Sequence, residues 1–70
     1  SMKYVEWMLD CFSLDWHQQH AIKRCELNFI HEVFYGNKIA VFCKQQEELS
    51  FFEIKKTDGD GICRMKLVWQ

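Results

Sequence analysis

A handful of side chains set what chemistry this sequence could support. His31 and Glu32 are neighbours in a stretch that alternates apolar and polar residues. Strand geometry would send them to opposite faces. A carboxylate near a strand end can act as a general base and take a proton from water. The competing reading is an ordinary solvent-facing glutamate, since charged side chains are mostly exposed. His17 and His20 are three residues apart and can share a helix face. A zinc centre needs three or four ligands in tetrahedral reach, and no CxxC pair accompanies these two, so they read as loop histidines. Asp58-Gly59-Asp60-Gly61 opens like a calcium loop, but the third ligand position, the later bidentate Glu and the flanking helices do not follow. It reads as a hairpin turn.

Cys11, Cys25, Cys43 and Cys63 form an even set in a short chain, a pattern that invites a disulfide framework. Each lies inside an apolar periodic segment and not in a loop, and free cysteine is among the most buried residue types. They read as reduced core residues of a cytosolic protein. A nucleophilic cysteine needs a low-pKa thiolate. Cys11 falls late in a helix, at the negative end of its dipole, where a thiol is raised instead. None of these groups calls for a metal or a cofactor.

One helix and a sheet must position these residues. Tyr4, Val5, Met8, Leu9 and Phe12 recur at gaps of three and four, which predicts a helix over 2–12, with Ser1 able to cap it. Trp7 lies off that stripe. Ser13 can cap a short second turn over 14–19, with Asp15 at its positive end. From Lys23 the pattern changes to alternation. Strands are predicted over 23–33, 39–44, 49–56 and 62–69, with turns at Tyr35-Gly36-Asn37-Lys38, at 45–48 and at DGDG. Cys25, Leu27, Phe29, His31 and Val33 share one face of the first strand, half buried against the helix. Ile62 falls on the face opposite Cys63. Short turns between successive strands imply an antiparallel meander. The fold class is α+β: one N-terminal helix packed on a four-stranded antiparallel sheet.

Seventy residues make a single domain, 1–70, that buries only about 60% of its unfolded surface. Almost half of the residues are hydrophobic, more than so small a core can absorb, so part of that surface is expected to meet a partner, as in a homo-oligomer. The net charge is -1 and no basic run occurs, which argues against a nucleic-acid face and against docking on anionic membranes. No apolar run approaches the roughly 18 residues of a spanning helix, and none reads as a secretory signal.

At this point three stretches resemble a family. Lys3-Tyr4-x-x-Trp7-x-Leu9-Asp10, then Glu26-Leu27-Asn28-Phe29-x-x-Glu32, then Tyr35-Gly36-Asn37 are similar to acyl-acyl-carrier-protein thioesterases of bacteria and plants. These are hotdog-fold enzymes, usually with two hotdogs in tandem. The resemblance is to the second hotdog from its central helix onward and covers the chain after Ser1. It implies a partial hotdog-like fold, a truncated C-terminal hotdog, and a parent that hydrolyses fatty acyl thioesters of acyl carrier protein or coenzyme A, in the cytoplasm or, in a plant, the plastid. By position Glu32 matches the family's catalytic Glu, and Val33 stands where the family often has a Cys. The catalytic Asp, Asn and His of the family would precede Met2. Met8, Phe12, Leu27 and Phe29 could line an acyl-chain tunnel or be plain core. A non-catalytic hotdog-like module that binds acyl chains or dimerises is the alternative, and a small metal- or redox-binding domain using Cys and His is a third reading.

Overall fold

The computed structural model describes residues 2–70, so the predicted Ser1 cap lies outside the described residues. Helix α1 spans Met2–Leu9 and helix α2 spans Leu14–Gln19. Four strands follow: β1 (Ile22–Phe29), β2 (Ile39–Gln46), β3 (Leu49–Lys56) and β4 (Gly61–Trp69). The apolar spacing that predicted a helix to residue 12 continues past α1 as tight turns. Cys11 N–H donates to Met8 O at 3.1 Å and Phe12 N–H to Leu9 O at 3.1 Å. These three-residue bonds tighten the last turn and satisfy carbonyls that the helix end would leave open. Ser13 then caps α2, its hydroxyl accepting from Trp16 N–H at 3.1 Å.

The sheet is antiparallel with strand order β1-β4-β3-β2. The meander expectation therefore holds for β2, β3 and β4 and fails for β1. The segment 30–38 carries the chain away from β1, which pairs with β4 instead of β2. A tight turn at Tyr35-Gly36 lies within it. Asn37 Oδ1 accepts from Phe34 N–H at 3.0 Å, and Gly36 has φ +92°, a value that glycine adopts without steric cost. The β2–β3 hairpin turns through Glu47 and Glu48, with Glu47 in left-handed backbone at φ 56°.

The core is built on one sheet face. Phe52, Ile54, Cys63, Met65, Leu67 and Trp69 lie beneath Met8, which is fully buried. Phe12 joins the helical layer to the sheet by edge-on contacts with Phe52 at 5.8 Å and Trp69 at 5.6 Å, geometries that suit the aromatic quadrupole. The Trp69 indole N–H donates at 2.8 Å to the hydroxyl of Ser50, the buried polar residue of this core.

Two expectations about burial are corrected. First, β1 is exposed along all eight residues and is not half buried against the helix. A helix is about 10 Å across, and four strands about 4.8 Å apart make a wider surface. The α1 backbone lies over β2, β3 and β4, which leaves the β1 edge uncovered. Secondly, Ile62 is buried together with Cys63. Ile54 pairs with Cys63 but Lys55 pairs with Gly61, so Ile62 is an extra residue in β4, a β-bulge. The bulge resets the alternation and turns two consecutive side chains inward.

Ser50→Ala should lower stability by about 1–3 kcal/mol, because it leaves a buried indole N–H without an acceptor. Chemical denaturation should show a lower midpoint with unchanged slope. A wild-type midpoint would show that this bond does not hold the core.

Candidate functional site

The bulge at Ile62 shapes the ground on which Glu32 stands. The Ile62 carbonyl accepts from Ile30 N–H at 2.8 Å and also from His31 N–H at 3.2 Å. Two consecutive amides on one carbonyl end the strand, since a continuing edge strand would bond alternate amides. So β1 stops at Phe29, and the alternation expected to place His31 and Glu32 on opposite faces has ended before it reaches them. Both line one open cleft of about 490 Å³, together with Tyr4, Phe29, Ile30 and Val33. Tyr4 enters from α1, its ring 6.1 Å from that of Phe29. Tyr4 and Val33 also pack against the buried core, so the cleft rests on a fixed floor. Glu32 is exposed, and among the described residues its carboxylate has no hydrogen bond or ion pair. The arrangement is one carboxylate and one imidazole in an open cleft of mixed polar and apolar surface, able to set a hydrocarbon group against Tyr4, Phe29, Ile30 and Val33 beside a proton acceptor.

The other chemistry-bearing residues take structural roles. His17 Nε2 lies 2.8 Å from Leu9 O, and His20 Nδ1 lies 2.9 Å from Trp16 O, each at a helix C-terminal carbonyl. His20 also stacks on Trp16 with ring centroids 3.6 Å apart. They are packed helix-end groups, not loop histidines free in solvent. Asp58-Gly59-Asp60 forms the expected turn, with Gly59 at φ +108° and Lys56 N–H donating to Asp60 O at 2.8 Å. The cysteine expectation is corrected: Cys63 is buried, but Cys11, Cys25 and Cys43 are exposed. They lie toward strand edges and in the turn after α1, where alternation continues but nothing covers it. Burial by neighbouring groups pushes the Cys11 thiol up, with the charge of Asp10 adding to the rise.

The model of the acyl-ACP thioesterase C-terminal domain matches residues 1–70. The chain belongs to this family. A solved acyl-ACP thioesterase from Bacteroides thetaiotaomicron VPI-5482 is similar to it, with a TM-score of 0.90 and 30% sequence identity. That match covers 100% of this chain and 29% of the solved one, so the chain spans less than a third of that thioesterase. No curated protein sequence matches the chain. The architecture is accordingly a partial hotdog-like α+β fold.

Within this thioesterase domain the expected site residues separate. Glu32 and Phe29 come together in the cleft. Leu27 lies one step back along β1, in a shallow groove with Glu26, Asn28, Arg64, Met65 and Lys66. Met8 is 0% exposed in the core, and Phe12 packs between Trp16, Phe52 and Trp69. Neither borders the cleft. Sequence reasoning missed Tyr4, Ile30 and Val33, and it set His31 aside on strand geometry. The signal that could have found them is the turn chemistry at Tyr35-Gly36-Asn37, which leaves little room for a strand that runs to Val33.

This separation has a measurable consequence. Met8→Ala should cost about 2–5 kcal/mol, as a buried truncation that leaves a cavity. Phe29→Ala removes a ring that is 50% exposed and should cost much less. Equal losses in thermal or chemical denaturation would contradict the assignment of one to the core and the other to the cleft.

Proposed function

We propose that the chain is the C-terminal hotdog of a thioesterase that hydrolyses fatty acyl thioesters carried on acyl carrier protein, and that Glu32 is its general base. The observation that carries this reading is the cleft, which sets Glu32 beside Phe29 in a chain that matches the family from end to end. In the reaction the base takes a proton from water as the water oxygen attacks the thioester carbonyl. The tetrahedral oxyanion then collapses, the C–S bond breaks, and the thiolate leaves and takes up a proton. Phe29, Tyr4 and Ile30 shield the acyl group from water, Leu27 extends that wall along β1, and Met8 and Phe12 brace it from the core.

Glu32 is one member of a set. The resemblance puts the catalytic Asp, Asn and His at positions preceding Met2, so these 70 residues supply one of the four. Catalytic groups that act as a unit lose most of their effect when one is removed, and oxyanion stabilisation alone is worth about 10²–10³ in rate. The isolated chain should therefore show no useful hydrolysis of a long-chain acyl thioester. Turnover by the chain that is lost in Glu32→Ala would mean that a complete site assembles from copies of it. Turnover that persists in Glu32→Ala would mean that another group is the base.

The chain is also expected to self-associate. Among the described residues one edge of β1 has no strand beside it, and the exposed strand carries Ile22, Leu27 and Phe29. Unpaired edges with apolar side chains template further pairing. Light scattering at micromolar concentration should give a dimer or larger species, and Leu27→Lys should shift it toward monomer. A strict monomer for the unaltered chain would contradict this use of the edge.

A further inference from the structure

Cys11 and Cys43 lie where the turn after α1 approaches the edge strand β2. The next residue in the chain, Phe12, packs edge-on at 5.8 Å against Phe52, and Phe52 is the direct cross-strand partner of Cys43. Directly opposed residues in an antiparallel pair share a sheet face, so Cys43 points to the side from which Cys11 approaches. Both thiols are exposed, and each shifts the proton affinity of the other, as near neighbours do. Cys25 is exposed as well, but it sits on β1 at the opposite edge of the sheet, and Cys63 is buried in β4.

We propose that Cys11 and Cys43 form a redox-sensitive dithiol, at which a two-electron oxidant of the peroxide class closes a reversible disulfide between the α1 turn and β2. The two side chains lie on the same side of the sheet, and a disulfide needs their β-carbons about 3.5–4.5 Å apart. Cys11 loses its proton to solvent, and its thiolate attacks one oxygen of hydrogen peroxide. The O–O bond breaks, hydroxide leaves and takes up a proton as water, and Cys11 becomes a sulfenic acid. The Cys43 sulfur then displaces that oxygen, which leaves with a proton and the Cys43 thiol hydrogen as a second water. Two thiols and one peroxide give one disulfide and two waters, with two electrons passing from sulfur to oxygen. Burial pushes both thiols above the ordinary cysteine range; Cys43 partly offsets this at Cys11 and the Asp10 charge adds to it, so the thiolate forms more readily at mildly alkaline pH.

The bond would close a loop of about 30 residues and fasten the helical layer to a sheet edge. The test treats the 70-residue chain with one equivalent of hydrogen peroxide at mildly alkaline pH, blocks the remaining thiols, and maps the tryptic peptides by mass. The expected product is lighter by two hydrogens. It joins the peptide 4–23 to the peptide 39–44 within one chain, is reversed by dithiothreitol, and melts about 10 °C or more above the reduced form. Cys11→Ser and Cys43→Ser should each abolish that cross-link while leaving the fold and the reactivity of Cys25 unchanged. Oxidation of Cys11 and Cys43 to separate acids would overturn the proposal, as would a dominant Cys25 cross-link between chains or an intramolecular disulfide that survives in either variant.

Discussion

One extra residue in β4 shapes the end of this molecule that carries Glu32. The bulge at Ile62 turns Ile62 and Cys63 inward together, so the core gains two consecutive buried side chains at the end of the strand. It also presents a single carbonyl to two successive amides, those of Ile30 and His31. That shared acceptor ends β1 and lets the chain leave the sheet beside α1. Without the bulge, β1 would continue and His31 and Glu32 would alternate across it. With it, both face the same cleft, over a floor made by Tyr4 and Val33. Bulges recur next to active sites because they re-aim side chains in this way.

The second constraint is width. A helix of eight residues cannot cover four strands, and α1 lies over β2, β3 and β4. The aromatic contacts of Phe12 with Phe52 and Trp69, and the bond from Trp69 to Ser50, hold that arrangement in place. The uncovered part falls on β1, the strand that leads into the cleft. Under the proposed function such a surface would hold the hydrocarbon of a fatty acyl group out of water while its carbonyl meets a base. The apolar residues of β1 and the carboxylate of Glu32 lie in that order along the chain. The same geometry leaves an open edge, so the exposed wall and the tendency to associate have one origin.

Much of this was legible in the sequence because it rests on periodicity. The gaps of three and four from Tyr4 to Phe12 marked the first helix, Ser13 marked the second, and alternation marked all four strands. The DGDG turn and the turn at Gly36 also read correctly, since few residues adopt positive φ without cost. Three features were not legible, each for a physical reason. Pairing β1 with β4 instead of β2 is a long-range choice that local pattern does not encode. The bulge at Ile62 adds a residue without altering composition, so Ile62 was assigned to the wrong face, and the ending of β1 was missed with it. The exposure of Cys11, Cys25 and Cys43 followed from which strands the helix covers, and no property of cysteine itself predicts that. Glu32 was singled out by resemblance, while its neighbours in the cleft, Tyr4, Ile30 and Val33, became visible only with the backbone path.

The shared Ile62 carbonyl decides where β1 ends, and amide hydrogen exchange of 30–33 reads it directly. An edge strand that continued past Phe29 would protect alternate amides, so Ile30 and Glu32 would be slow and His31 fast. The bulged geometry predicts slow exchange at the consecutive amides of Ile30 and His31, with fast exchange at Glu32. Protection at Glu32 with His31 exposed would show that β1 runs on, that His31 and Glu32 lie on opposite faces, and that the cleft described around them does not exist.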